Sequence, residues 1–348
     1  MTDAEDSSDM RRPERAPSDL ASPRPVTSVH RTLVHAGAAV LGVLALVLLV
    51  RSVGVAEFSS VVGASAPWLP FLFALEAARL GSEFVMTYTV TKSVRERIPI
   101  VELLRMHVIA FGVSLVLPAG RATAEATRAA MLSPFIGMAD ASAVAFCNQS
   151  MALLGGGLIA LPCLAGGLLL TGFSPVVATL FGFACITSSA FALCQIGARR
   201  REVGGLIGRL SSRTGSAAVA FQDATRHLPV FPLGPVASAI GGRIIQVVEY
   251  AVLLYALGRR HGVAESLLAE GVNIVGGAVG DFIPGQVGAT DSAFAFAAHT
   301  LGITVADGVV IAVLLHFVQV VWALVGLSAP IWWRRPVRAP QRAERASS

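Results

Sequence analysis

Eight apolar stretches constrain this chain more than anything else in it: residues 32–50, 68–91, 101–117, 139–170, 176–198, 233–257, 267–283 and 305–333. Several are long enough to cross the hydrocarbon of a bilayer as a helix. In hydrocarbon every peptide group must find its hydrogen bond inside the segment, so such stretches fold as helices. With 54% of 348 residues hydrophobic and 14% charged, the chain holds more apolar surface than one soluble core would bury. The expected fold is an all-α polytopic membrane protein with about six to eight transmembrane helices. The first stretch, TLVHAGAAVLGVLALVLLV, competes with a signal-peptide reading helped by Ala64, Ser65 and Ala66. The long polar segment before it and its spanning length favour a retained helix.

Polar residues gather between the stretches. Residues 1–31 are rich in Pro, Ser, Asp and Arg without apolar periodicity, the composition of a disordered tail. Lys92 is the only lysine, so the net charge of +5 rests on arginines grouped in the N-terminal tail, KSVRER (92–97), ARRREVGGLIGRLSSR (198–213) and the C-terminal WRRPVRAPQRAER. Such islands mark cytoplasmic loops, and nucleic acid is not an expected partner. The expected domains are a cytoplasmic tail (1–31), a transmembrane domain (32–333) and a basic cytoplasmic tail (334–348). Both termini then lie in the cytoplasm and the localisation is the inner membrane. GRRHG (258–262) falls outside, against the rule.

This topology leaves two segments that enter and leave on one face. Residues 101–131 form a re-entrant hairpin from the cytoplasm, broken at LVLPAGR. Residues 267–300 form another from the outside, broken at DFIPGQ. Gly120 is then reachable from the inside and Gly285 from the outside. The breaks also repeat: LPAGRATAEA and IPGQVGATDS each place an acid, Glu125 or Asp291, seven residues after a proline, Pro118 or Pro284. Downstream, IGMADASAVA matches LGITVADGVVIA, and upstream PIVELL matches GVAESLL. Half-repeats of about 67–198 and 233–333 in opposite orientation are the inverted plan of many transporters. Broken backbone at membrane depth is tolerated where it lines a polar cavity, so Pro284, Gly285 and Gly288 imply one.

Charges inside apolar segments point the same way, since each costs on the order of 3 kcal/mol near the bilayer centre. Glu76, Arg79 and Glu83 share one helical stripe, either as a self-neutralised ion triad or facing a substrate. Arg243 and Glu249 fall on different faces and need partners elsewhere. Arg121, Glu125 and Arg128 follow the first break, where arginines suit a lipid phosphate or simply snorkel to the interface. Asp291 is a candidate to contact a headgroup, to take up a proton or to cap a helix. His107, His299 and His316 read as core histidines, and Cys147, Cys163, Cys185 and Cys194 as small buried hydrophobes. No metal site and no cofactor is expected. Walker A, D-D-x-x-D, D-G-x-x-A-R and G-x-S-x-G patterns are absent from the sequence, which argues against the usual membrane lipid enzymes.

LPAGRATAEATRAAML and IPGQVGATDSA resemble, respectively, the P…G-E-x-x-R…L and P-G-G-L-G-x-x-E-A signatures of the flippase-like family named for the transmembrane region of lysylphosphatidylglycerol synthases. The resemblance spans about residues 33–333. Ala124 stands where the family usually has glycine, Gln286 replaces the second glycine of P-G-G, and Asp291 replaces the glutamate. The resemblance implies a stand-alone member that binds or translocates a polar lipid, such as a phospholipid, a hopanoid or a lipid-linked sugar, without lysine transfer. Its expected partners are membrane lipids, anionic or with a polar headgroup, and possible partners in a lipid-synthesis complex. The alternative is a membrane enzyme or an assembly partner in lipid or polyprenyl-phosphate glycoconjugate synthesis.

Overall fold

The computed structural model of the chain describes residues 65–200, 212–258, 262–286 and 288–333, with positions 51, 63 and 202. The two expected tails, the helix at 32–50 and most of the 198–213 island lie outside the described residues. Among the described residues there are ten α-helices and no strand. They are α1 (Leu69–Val90), α2 (Ile100–Val116), α3 (Gly120–Ile136), α4 (Met138–Thr171), α5 (Pro175–Arg199), α6 (Ser212–Arg226), α7 (Leu233–Ala256), α8 (Val263–Gly280), α9 (Ala289–Ala297) and α10 (Val305–Trp332). Four of them, α4, α5, α7 and α10, are long and apolar enough to cross a membrane. The protein is an all-α polytopic membrane protein. At 22 residues, α1 has spanning length too, about 33 Å at 1.5 Å per residue, but carries Glu76, Arg79 and Glu83.

Local chemistry sets the boundaries. Ser174 opens α5 by accepting a hydrogen bond from the Val177 N–H, with Pro175 at the first helical position. At α10, Thr304 Oγ1 accepts from the Asp307 N–H at 3.0 Å while Asp307 Oδ2 accepts from the Thr304 N–H at 3.1 Å, satisfying two helix-terminal donors. The helix α6 falls in a polar stretch where the apolar pattern predicts no helix. It docks on the end of α5: Gln222 Nε2 donates to the Arg200 carbonyl at 2.8 Å and Arg226 Nη2 to the Arg199 carbonyl at 2.7 Å. Side chains of α6 therefore satisfy carbonyls left free at the C-terminal end of α5.

Two helix hairpins, α2–α3 and α8–α9, sit at the centre of a reciprocal arrangement. The helices α1 and α7 cross antiparallel, Trp68 stacking edge-on against Tyr255 at one end and Thr89 meeting Gly234 at the other. Then α2 packs along α10, while α8 packs along α4. Each hairpin's first limb thus lies against the helix that follows the opposite hairpin. Contact is close because small residues line the crossings: a Cβ on Gly326 would run into the Val108 carbonyl, and one on Gly271 would come within 3.1 Å of the Cys163 Cβ. The largest buried cluster joins Leu72, Tyr250, Leu253, Leu268, Phe294 and Ile311, so the second hairpin is bedded in the core rather than laid on its surface.

Some single-residue expectations need correcting. Cys147 and Cys163 are buried, but Cys185 and Cys194 lie on the outward side of α5. His316 is a core histidine, its Nδ1 2.7 Å from the Ala312 carbonyl. His299 is exposed on the turn after α9, because that short helix ends before it and turns the ring outward.

Candidate functional site

The tips of the two hairpins meet. The Gly120 N–H donates to the Asp281 carbonyl at 3.3 Å and the Arg121 N–H to Asp281 Oδ1 at 3.4 Å. Asp281, the first residue after α8, therefore caps the N-terminus of α3. Free N–H groups and the positive end of the helix dipole draw a carboxylate to that place. A cavity of about 370 Å³ opens beside the junction, walled by α1, α2, α3, α4, α5, α7, α8, α10 and the second tip.

The first hairpin reaches this place through a tight turn of three residues, Leu117–Pro118–Ala119, between α2 and α3. Proline ends α2, Ala119 takes a left-handed conformation (φ 53°), and Gly120 packs so closely on the Ser114 carbonyl that a Cβ would overlap it. From there α3 presents Arg121, Ala124, Glu125 and Arg128 to the cavity at helical spacing.

Four arginines line the cavity: Arg79, Arg121, Arg128 and Arg243. Three are held by carboxylates. Arg79 grips Glu76 through Nε (2.7 Å) and Nη2 (2.6 Å) and reaches Glu83 through Nη1 at 2.9 Å. Arg128 forms an ion pair with Glu125 and extends Nη2 to Glu83 at 3.5 Å. Asn148 Nδ2 donates to the other Glu125 oxygen at 3.3 Å. Arg243, whose partner was undetermined in the sequence, finds the wholly buried Glu270 on α8 at 3.2 Å and Gln246 Oε1 at 2.8 Å. The fourth, Arg121, forms no ion pair with any described residue, and its Nε is buried without an acceptor.

The remaining expected residues divide. Glu83, Glu125 and Gly285 line the cavity; Glu76 stands behind Arg79, away from it. Pro118 and Gly288 shape the turns without lining the cavity, and Pro284 opens the short turn Pro284–Gln286 at the second tip. Asp291 does not line it either: its Oδ2 accepts the Gly288 N–H at 2.7 Å, closing the first turn of α9. His107 is buried, 3.9 Å from Glu83 and too far to bond it.

Several cavity residues escaped the sequence reading: Asp281, Gln286, Asn273, Gln149 and Gln246 in the wall, and Glu270 just behind. Glu270 and Asn273 sit in the apolar run of α8, so the rule that singled out Glu76 also applies to them. Asp281 lies in the same apolar run, but its role is not legible there, because what it caps is 160 residues away in sequence.

The chain matches the family described as "Lysylphosphatidylglycerol synthase TM region" over residues 34–326. No curated protein and no solved structure matches it.

Proposed function

Because the chain belongs to the family of the lysylphosphatidylglycerol synthase transmembrane region, and so is a multi-pass membrane protein of a family associated with membrane lipids, we propose that it carries a phosphate-bearing lipid headgroup between leaflets through this cavity. The observation that carries the reading is Arg121. An arginine inside a membrane protein with no carboxylate bonded to it keeps hydrogen-bond donors unmet, which a lipid phosphate entering the cavity would satisfy with bidentate hydrogen bonds. Arg128 and Arg243, already paired, line the same cavity beside Arg121. The amides of Gln149, Gln246, Asn273, Gln286 and Gln319 supply donors and acceptors for hydroxyl groups of a polar headgroup.

In this reading the protein performs no covalent chemistry, resides in the inner membrane and keeps both termini in the cytoplasm. Reciprocal packing of the hairpins supports an inverted repeat. Two hairpins meeting at one site suit alternating access, in which the halves rock about a fixed binding place.

Arg121→Gln tests the proposal. Purified protein in micelles of neutral detergent is titrated with short-chain phosphatidylglycerol. Loss of one charge-assisted bidentate contact weakens binding at least about tenfold. Folded yield holds, since no carboxylate is stranded. Unchanged affinity in the variant would remove the headgroup role.

A further inference from the structure

The antiparallel crossing of α1 and α7 sets a register. Thr89 lies against Gly234, a Cβ on Gly242 would run into the Ser82 hydroxyl, and Trp68 meets Tyr255. Continued along the helices, that register brings Glu76 opposite Glu249. The two carboxyls approach within hydrogen-bonding reach, and both residues are 0% exposed. Glu76 is tied to Arg79 through both of its oxygens. Glu249 has no donor for either oxygen among the described residues.

Two carboxylates pressed together away from water repel, and one proton between them turns the repulsion into a hydrogen bond. The charged surroundings do not supply another remedy. Facing Glu249 are Glu76 and Arg79 from α1 and Glu270 from α8, with the Tyr250 phenol beside it on α7. Arg79 already serves Glu76 and Glu83. Glu270 adds a further acid, engaged by Arg243. The helix α4 crosses α7 farther along, at Gly155 and Ala239, and its Asp140 lies in its first turn; on α10, His316 is bonded to the Ala312 carbonyl.

We propose that Glu76 and Glu249 form a proton-binding site, a carboxyl pair holding a single proton, whose occupancy sets how strongly the arginine cavity holds an anion. The link runs through Arg79. It lines the cavity on one side and grips Glu76 on the other. When the pair holds its proton, one negative charge is cancelled and the field of Arg79 reaches the cavity. When the proton leaves, the new charge on the pair offsets Arg79 and draws it away from Glu83, which then competes for Arg128. Proton and anion therefore favour each other's binding, and by linkage the effect is reciprocal. A proton taken up with the headgroup on one side and released with it on the other would let a proton gradient drive the movement. The coupling rests on the proposed anion cavity, whereas the proton site itself does not.

Full-length protein in neutral micelles is titrated with short-chain phosphatidylglycerol, whose phosphodiester stays charged, between about pH 8 and about pH 5. Affinity is expected to rise at least about fivefold toward the acid end, to become flat in Glu249→Gln, and to keep its rise in His107→Gln. Infrared spectra at neutral pH should contain a protonated-carboxyl band in wild-type protein that shifts in heavy water and is lost in Glu249→Gln. A wild-type affinity independent of pH overturns the coupling, and so does a pH dependence that survives in Glu249→Gln. Absence of the band overturns the proton site, as does its persistence in Glu249→Gln. Where Glu249→Gln fails to fold, the wild-type titration and band decide. If phosphatidylglycerol fails to bind at any pH, the anion-cavity reading fails with the coupling, and the infrared band alone decides whether the pair holds a proton.

Discussion

The two hairpins have the same plan and opposite chemistry. In the first, three residues join α2 to α3, and the return limb of 17 residues carries Arg121, Glu125 and Arg128 into the cavity. In the second, eight residues join α8 to α9, whose nine residues carry Asp291 away from the cavity. The second half delivers its polar groups from the outgoing limb and the tip instead, through Asn273, Asp281 and Gln286 lining the cavity and Glu270 behind. A repeat preserves the path of the backbone more readily than the place of a charge. In the carrier proposed above, such asymmetry would let one half hold the ligand while the other shapes the site.

The largest expected effect separates the halves by their arginines. Arg128 is buried against Glu125 and reaches Glu83, which Arg79 also holds, so Arg128→Gln strands the buried Glu125 carboxylate without a cation and should cost about 3–5 kcal/mol of stability. Thermal unfolding in micelles measures it. Arg243 is a quarter exposed and serves one carboxylate, which keeps the Asn273 amide at 3.2 Å, so Arg243→Gln should cost clearly less. Equal losses would mean that the two halves depend on their ion pairs alike.

That contrast was only partly legible in the sequence. Helix type, the breaks at Pro118 and Pro284 and the inward-facing charges follow from patterns that the bilayer enforces locally: apolar run length, helix-breaking residues and the cost of buried charge. The matched spacing of Glu125 and Asp291 misleads because spacing counts residues and not turns. The helix α3 begins two residues after its proline and α9 five, so the same interval places Glu125 on the sixth residue of one helix and Asp291 on the third of the other. At the sixth, a side chain projects from the helix wall; at the third, it folds back on the free N–H groups. Partners such as Glu270 for Arg243, or Asp281 for the start of α3, depend on how distant segments pack, and no local pattern encodes them.

A second expected difference concerns the turns. Gly120→Ala places a methyl on the Ser114 carbonyl, backbone against backbone, and should cost about 1–3 kcal/mol while loosening the turn that aims Arg121. Gly288→Ala meets nothing within 4 Å but has φ +85°, so it bears only the left-handed penalty of about 1–2 kcal/mol. Affinity for phosphatidylglycerol should fall in the first variant and hold in the second. A fall of the same size in both would show that the tips act as one unit.

Asp291 gives a smaller effect with a clear sign. As a helix cap, Asp291→Ala should cost about 1 kcal/mol and Asp291→Asn much less. Binding should survive in both variants once they are matched for folded yield. Loss of binding in the Asn variant would restore the carboxylate to the site and make the hairpins chemically alike.

The smallest effect tests whether the second tip is tuned for a ligand or merely for folding. Gln286 stands where the family signature has glycine, and its backbone lies in the left-handed region at φ 57°, a conformation that disfavours any residue with a Cβ. Its side chain lines the cavity and lies against Gly277, where an added Cβ would come within 3.1 Å of Gln286 Oε1. A side chain kept at a strained position is explained by what it touches, because glycine would fold more easily there. Gln286→Gly should therefore relieve about 1 kcal/mol of strain, part of it offset by the greater freedom glycine gives the unfolded chain. The net change in melting temperature should be small and upward. Binding of phosphatidylglycerol should weaken, since the amide is lost and the tip becomes more mobile. A variant both more stable and equally avid would show that Gln286 takes no part in holding the headgroup, leaving recognition to the first hairpin and Arg243.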